Sequence, residues 1–240
     1  IWLNKTANNS ALVGWLRQAN KTEKICRWAY KVSCGNHFLC RYAEQYNPQV
    51  VYIPTTVDRQ LHHNQTKQHE QKSTITIGWT GTITTMLYLE PLYKIIEKIS
   101  HQHKVCLHII SNRAPESDYS FIKYTAWNKA TEIADLVQFD IGVMPSLGSD
   151  WERGKCAFKA IQYLALGIPA VVSPIEANKE VVQHGKSGFW AANEEEWERY
   201  LIKLIESAAL RQKMGQAGQA FINKNYSVAS QSANYYQLFS

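Results

Sequence analysis

The residues best suited to bind an anion are concentrated in SDWERGKCAFKAIQYLALGIPAVVSP, residues 149–174. Arg153, Lys155 and Lys159 place cations around the point where the pattern predicts a helix over residues 155–166. Gly154, at the same point, lets the backbone approach a ligand closely. The first turn of a helix also offers free backbone amides and the positive end of its dipole. This combination favours binding of one anion, and the competing interpretation is a solvated basic face.

The predicted helix has two distinct faces. Lys155, Lys159 and Gln162 share one face at helical spacing, whereas the apolar residues of the segment share the other. Cys156 and Ala157 lie in the first predicted turn, where their amides would point toward the same anion. The helix follows an apolar strand, so its start is expected at the carboxyl edge of a parallel sheet, where ligands of such sheets bind.

A second candidate loop follows the first strand of the same region, in the sequence GWTGT, residues 78–82. Gly78 and Gly81 would let backbone amides approach a phosphate, and Thr80 and Thr82 would add hydroxyl donors. The alternative is a tight turn capped by threonines. The loop lacks the full dinucleotide fingerprint, which argues against hydride transfer.

Other side chains with chemical potential carry weaker expectations. Trp127 follows a weak strand, and its ring is placed either to stack on a nucleobase or to pack against the protein. Glu132 and Asp140 are expected to have capping or surface roles. The histidines show no metal-ligand spacing, so no metal and no cofactor are predicted.

The elements that position these residues alternate along the chain from residue 75 onward. Nearly continuous apolar runs predict strands over residues 74–79, 105–111, 140–145 and 169–174, as in a parallel sheet buried on both faces. Amphipathic stretches predict helices over residues 85–100, 128–137, 155–166, 194–206 and 208–223. Pro91 places the start of the first helix near Glu90. The expected fold is α/β, a Rossmann-like parallel sheet flanked by helices.

The first sixty residues predict a smaller α/β unit. Helices are expected over residues 11–30 and 37–46, with strands at KVSCGN (residues 31–36) and VVYIP (residues 50–54). The polar segment 59–73 lacks periodicity and is interpreted as a linker. The predicted organisation is a remnant of an N-terminal domain (1–58), this linker, a Rossmann-like domain (74–223) and a helix returning toward the N-terminal domain (224–240).

Composition and charge indicate which partners and which cellular location to expect. The chain has 240 residues, 45% of them hydrophobic, and a net charge of +6, which suits an anionic partner. The charges are scattered and no nucleic-acid-binding signature appears, so nucleic acid is not an expected partner. Five cysteines without C-x-x-C spacing indicate a reducing, cytoplasmic location, with peripheral membrane contact as an open alternative. The absence of an initiating Met suggests that the sequence begins inside a longer protein.

Five motifs appear in a fixed order along the chain. They are VSCGNHFLCRYAEQYNPQVVYIPTTVD, IGWTGT, DIGVMPSLGSDWERGKCAFKAIQYLALGIPAVVSP, HGKSGFW and LRQKMGQAGQAFINKNYS. In this order they resemble the donor-binding half of family-4 glycosyltransferases with the GT-B fold, together with the end of the N-terminal domain. The resemblance runs along nearly the whole chain.

The resemblance implies a nucleotide-sugar substrate, a retaining transfer without a metal, and a role in polysaccharide or glycoconjugate biosynthesis. Lys155 and Arg153 would stabilise the departing diphosphate. The residues implied to bind the donor are Gly78, Thr80, Gly81, Thr82, Trp127, Gly154, Cys156, Ala157, Lys159 and Gln162. Family members commonly carry two glutamates where this chain has Gly154 and Gln162, and an Arg and a Lys where it has TITTMLYL. Arg153, Lys155 or Lys159 would then supply the missing charge.

Two other functions stay open at this stage. A nucleotide-sugar epimerase of the same architecture would also bind such a donor, and a degenerate domain would serve as a binding module without catalysis. The acceptor, whose identity the sequence does not give, would bind to an N-terminal domain mostly outside this sequence. The chain alone is therefore expected to bind donor weakly and to transfer little sugar.

Overall fold

The computed structural model describes residues 20–240. A small unit comes first, in which two parallel strands, β1 (Val32–Cys34) and β2 (Val50–Tyr52), are accompanied by helices α1 (Lys21–Trp28) and α2 (His37–Glu44). This is the predicted partial α/β unit. The part of the helix predicted over residues 11–30 that precedes residue 20 lies outside the described residues.

The larger unit is built on six parallel strands. They are β3 (Ile75–Gly81), β4 (Val105–Ser111), β5 (Ile122–Ala126), β6 (Ile141–Met144), β7 (Ala170–Val172) and β8 (Gly188–Trp190). Their order across the sheet is β5-β4-β3-β6-β7-β8. Sequence order therefore reverses between β3 and β6, which makes this boundary the topological switch point of the sheet. The predicted α/β fold with a Rossmann-like parallel sheet is confirmed.

Helices cover the sheet and bury its apolar side chains. The helices, in chain order, are α3 (Ile83–Met86), which a short 3₁₀ turn (Leu87–Leu89) follows, α4 (Glu90–Ser100), α5 (Glu132–Leu136), α6 (Asp150–Arg153), α7 (Phe158–Ala165), α8 (Glu176–Val181), α9 (Glu194–Glu206), α10 (Ala208–Asn225) and α11 (Val228–Tyr236). The predicted start near Glu90 is confirmed, with Pro91 in the first turn of α4.

The core divides into two clusters. Helices α4 and α9 pack together in one cluster, with Ile77, Leu107 and Leu201 fully buried. Helices α7 and α10 pack in the other, around Leu164 and Ile168. The helices that follow β3 and β6 therefore leave the switch point toward different clusters. Their first turns flank the switch point, where open α/β sheets have a cleft.

The segment 59–73 has no helix or strand, but it packs closely against the larger unit. Lys67 and Lys72 reach the carboxylate of Asp140, with Nζ–O distances of 3.2 and 2.8 Å. The Thr76 amide donates to the same carboxylate at 2.8 Å. Asp140 is fully buried, so its expected capping or surface role is wrong. Its actual position is at the start of the switch-point strand β6, where it fastens this segment to the sheet.

The chain end contacts the small unit. Lys31 Nζ donates to the carbonyls of Gln237 and Ser240 at 2.9 and 2.7 Å. Val57 and Ser227 also form a parallel bridge. No helix within residues 20–240 is both long and apolar enough to cross a membrane.

Candidate functional site

The loop that leaves β6 at the switch point is shaped by one buried carboxylate. Glu152 is completely buried and accepts hydrogen bonds from the Ser146 hydroxyl at 2.7 Å and the Leu147 and Ser149 amides at 3.0 Å. Burial alone would raise the pKa of this carboxyl, but these donors outweigh it and hold the pKa below its ordinary value. Ser149-x-x-Glu152 is a capping box, a sequence signal that identifies this role.

The helix after this loop begins later than the sequence predicts. The predicted start at residue 155 is wrong, because α7 begins at Phe158 and its N-cap is Ala157, at φ 52°. A left-handed alanine is uncommon, and this one is 1% exposed, so the surrounding core holds it. Within residues 20–240, the amides of Phe158, Lys159 and Ala160 donate to no protein acceptor. These amides remain available to an anion.

Lys159 lies between the two sides of the cleft. Its Nζ is 4.6 Å from the centre of the buried Trp79 ring and 3.5 Å from Thr85 Oγ1, both on the β3 side. Burial, together with the smaller effect of the neighbouring Lys155 charge, lowers the pKa of Lys159 to about 8. Burial of this charge therefore lowers the folding stability, and a bound anion would offset that loss.

Lys155 belongs to the loop rather than to the helix, yet it reaches the same region. Its Nζ lies 5.2 Å from the centre of the Tyr88 ring, in the 3₁₀ turn after α3. Burial lowers its pKa as well. Both lysines therefore extend to the segment TITTMLYL, which carries no cation of its own.

The end of β3 differs from the predicted loop. Gly78 does not belong to a loop, because β3 continues to Gly81 and Gly78 pairs with His108 and Gly142. A Cβ on Gly78 would lie 1.9 Å from the Phe139 ring, so close packing requires glycine there. Thr80 is also buried in the strand, and its amide donates to the Tyr163 hydroxyl at 3.0 Å.

Gly81 and Thr82 form the actual edge of the cleft. A Cβ on Gly81 would approach the Trp79 ring to 2.5 Å and Thr85 Oγ1 to 2.9 Å, which again requires glycine. Thr82 is the N-cap of α3, and its amide donates to Thr85 Oγ1 at 3.3 Å. The structure thus brings Thr82, Thr85 and Lys159 together at one edge.

Arg153 points away from the two lysines. Its guanidinium pairs with Asp150 at 3.2 Å and Glu176 at 3.3 Å, and it covers the Phe38 ring at 4.5 Å. Gly154 ends α6 in an ordinary helical conformation. A Cβ at Gly154 would meet no atom closer than 3.5 Å, so packing does not demand glycine at this position.

Cys156 faces the small unit rather than the cleft. A Cβ built on Gly35 would lie 2.5 Å from its Sγ. Burial raises the pKa of this thiol. The expectation that residues 153–157 form one anion-facing turn is therefore replaced by a divided arrangement, in which Lys155 alone of this segment is placed against the cleft.

A polar cluster lies beside the carboxyl end of β5. Glu132 accepts hydrogen bonds from Trp127 Nε1 at 3.1 Å, Gln162 Nε2 at 3.3 Å and His62 Nε2 at 3.2 Å. The expected surface or capping role of Glu132 is wrong, because its side chain is 15% exposed and joins three other segments. Gln162 is 3% exposed, whereas Trp127 is 45% exposed. The periodicity-free segment 59–73 gave no signal that His62 belongs here.

A separate cavity lies beyond the lysines. It has a volume of about 350 Å³. Its walls are the loops after β6, β7 and β8, together with Tyr88 and Trp197. Tyr88 lines this cavity and also contacts Lys155, which is not itself a lining residue. Among residues 20–240, no three His, Cys, Asp or Glu side chains converge on a point that would hold a metal ion.

The family model described as "Glycosyl transferases group 1" matches residues 74–207. No protein of curated function matches the sequence.

Three solved structures illustrate the similarity of fold. Sucrose-phosphate synthase from Thermosynechococcus elongatus is 12% identical with a TM-score of 0.69, over 91% of this chain and 59% of that chain. A mutant of S. aureus TarM, in complex with fondaparinux, alpha-GlcNAc-glycerol and UDP, is 13% identical with a TM-score of 0.74, over 93% of this chain and 46% of that chain. Anabaena HepE, in complex with UDP and glucose, is 12% identical with a TM-score of 0.71, over 90% and 64%. This chain thus spans between about half and two thirds of their lengths.

Proposed function

The chain belongs to the group 1 glycosyl transferases, and from this premise we propose that its cleft binds a nucleotide-sugar donor and serves sugar transfer to an acceptor hydroxyl. The observation that carries the proposal is that Lys155 and Lys159 both extend to the segment TITTMLYL, Lys155 over the Tyr88 ring and Lys159 beside Thr85 Oγ1. The site lies at the switch point, where Rossmann-like sheets bind their ligands.

We assign the diphosphate of the donor to this region. The free amides of the first turn of α7 supply donors and a positive dipole end, and the two lysines supply full charges. Lys155 and Lys159 thereby provide the cations that TITTMLYL lacks. Arg153 would contribute less to binding the diphosphate than the two lysines, because its charge is already paired with Asp150 and Glu176.

We assign the nucleoside to the neighbouring polar cluster. The exposed Trp127 ring offers a flat face for a base, and Glu132 with Gln162 offers a carboxylate and an amide for sugar hydroxyls. HepE in complex with UDP and glucose is a structural relative that supports this class of ligand.

The transfer step follows from the charges of the site. As the bond between sugar and diphosphate breaks, the leaving diphosphate gains negative charge. Lys155, Lys159 and the amides of α7 stabilise that charge, so we propose a retaining transfer without a metal ion. The acceptor would bind across the cleft on an N-terminal domain, and the 240-residue chain alone would transfer little sugar. We place this activity in glycoconjugate or polysaccharide biosynthesis at the cytoplasmic side, with peripheral membrane contact.

A panel of ligands tests the donor assignment. Thermal unfolding of the chain is measured with millimolar nucleoside diphosphates of each base, with inorganic pyrophosphate and with nucleosides. We expect at least one diphosphate to raise Tm, and its nucleoside to have a much smaller effect. The double variant Lys155→Met with Lys159→Met should abolish the increase. Equal stabilisation of the wild type and the double variant would refute the site, and no stabilisation by any diphosphate would refute donor binding.

A further inference from the structure

The loop that carries Lys155 is fastened to the small N-terminal unit by one buried asparagine. Asn36 is 2% exposed. Its Nδ2 donates to the carbonyls of Arg153 and Lys155 at 3.0 and 2.9 Å, which span the loop at Gly154. Its Oδ1 accepts from the Leu39 amide at 2.8 Å and so caps α2. One side chain therefore joins the N-terminus of α2 to both sides of the turn between α6 and α7.

Neighbouring contacts show that the loop between α6 and α7 packs closely against the start of α2. Gly35 approaches Cys156 so closely that a Cβ at that glycine would lie 2.5 Å from Sγ. Arg153, held by Glu176, covers the Phe38 ring at 4.5 Å. One side of the loop thus packs against the start of α2, and on its other side Lys155 reaches the cleft.

We propose that Asn36 is a positioning residue for the anion site, so that the affinity of the cleft for a diphosphate depends on its two hydrogen bonds to the loop. The inference rests on the proposed function only for the identity of the ligand. Without these bonds, the carbonyls of Arg153 and Lys155 lose their partner, and the backbone that aims Lys155 is free to move. Binding of a diphosphate would then have to order the loop as well, and this ordering would reduce the affinity.

The experiment uses two variants and a matched control. Asn36→Asp keeps an oxygen that caps α2 but cannot donate to the carbonyls, and Asn36→Ala removes the donor without adding charge. The control is Asn47→Asp. Asn47 is 5% exposed and has the same bonding pattern, donating to the Cys26 and Ala29 carbonyls at 2.8 and 2.7 Å and accepting from the Gln49 amide.

Affinity for a nucleoside diphosphate is measured by calorimetry under conditions where each variant is folded. We expect both Asn36 variants to bind about tenfold more weakly than the wild type, and Asn47→Asp to bind as the wild type does despite a comparable loss of Tm. Lys155→Ala should weaken binding in the wild type but have little further effect in Asn36→Ala, because the two residues act through one loop. Wild-type affinity in both Asn36 variants, equal weakening by Asn47→Asp, or full additivity with Lys155→Ala would each overturn the proposal.

Amide hydrogen exchange separates this inference from the proposed function. If the wild type binds no nucleoside diphosphate, donor binding fails, but the positioning role is still tested by exchange at the Gly154 and Lys155 amides, which donate to the Asp150 and Glu152 carbonyls at 3.0 Å. We expect these amides to exchange at least about tenfold faster in Asn36→Asp than in Asn47→Asp. Unchanged protection there would overturn the positioning role regardless of the ligand.

Discussion

At the scale of single residues, the central feature is a lysine held under unfavourable conditions. Lys159 is packed over Trp79, its pKa is lowered to about 8 by burial, and within residues 20–240 its charge forms no ion pair. A buried charge that lowers folding stability and has no ion-pair partner is typical of a binding site, where a bound ligand of opposite charge offsets the loss.

The first prediction follows from this cost. Lys159→Met should raise Tm at pH 7 by removing a half-buried charge, and should weaken nucleoside-diphosphate binding about tenfold or more. Lys203→Met is the control, because Lys203 is exposed and also lies over a ring, that of Phe189 at 5.4 Å, far from the cleft. Loss of Tm with unchanged affinity would contradict the prediction.

The pH dependence of the same residue has a defined sign. The folded pKa lies below the unfolded one, so the unfolded chain binds more protons between pH 8 and pH 10.5 and stability rises across that window. Affinity should change in the opposite direction, falling as pH rises through about 8, because the neutral amine no longer attracts the anion. Calorimetric titrations at pH 7, 8 and 9 should show this fall in the wild type and not in Lys159→Met.

A second prediction at this scale concerns Glu132. Glu132→Gln weakens the acceptor shared by Trp127, His62 and Gln162, so nucleoside-diphosphate affinity should fall about tenfold. Affinity for inorganic pyrophosphate should stay unchanged, since that ligand lacks the nucleoside. Glu198→Gln, which breaks an exposed pair with Lys98, serves as the control. An equal loss for both ligands would place Glu132 at the diphosphate instead.

At the scale of elements, the sequence predicts the strands better than the positions of the ligand-binding turns. The strand expected over residues 105–111 is observed with the same limits, because a continuous apolar run leaves few alternatives. The start of α7 was misplaced because no local signal indicates an alanine at positive φ; tertiary packing imposes it. Strand β8, three residues long and beginning with glycine, carries too little pattern to be identified.

The same limit applies to the candidate site. Lys155 and Lys159 were found because cations near a predicted helix start are visible in sequence. Asn36 and His62 were missed, because their roles depend on segments that lie far apart in the chain and meet only in the folded protein.

The prediction at this scale concerns the attachment of segment 59–73. Burial would raise the pKa of Asp140, but bonds from Lys72 and the Thr76 amide, with the charge of Lys67, hold it below its ordinary value. Stability from this carboxylate is thus present above pH 4 and lost as pH falls through its lowered folded pKa. Asp140→Asn should cost about 3–5 kcal/mol at pH 7, since it removes the carboxylate that pairs with the buried Lys67.

Urea unfolding at pH 7 and pH 3 measures this cost. The difference between wild type and Asp140→Asn should shrink at the lower pH. Lys98→Ala, in an exposed pair with Glu198, should change the unfolding free energy by less than about 1 kcal/mol at either pH. A similar small effect of Asp140→Asn would mean that segment 59–73 is not fastened by this residue.

At the scale of the whole molecule, the chain is organised around one boundary. The six-stranded sheet reverses its order between β3 and β6, the lysines meet above that reversal, and Asn36 ties the same loop to the small N-terminal unit. This chain spans between about half and two thirds of the solved structures to which its fold is similar. The donor binding that we propose depends on residues that the chain itself contains.

The most direct measurement is a titration of the isotope-labelled chain with a nucleoside diphosphate, followed through its amide and indole resonances. We predict that the largest shifts occur at the amides of Phe158, Lys159 and Ala160, at Thr82, and at the Trp127 indole. Saturation should be reached at millimolar ligand or below. Shifts confined to the loops around the separate cavity, or the absence of any shift at millimolar ligand, would contradict the proposed donor site.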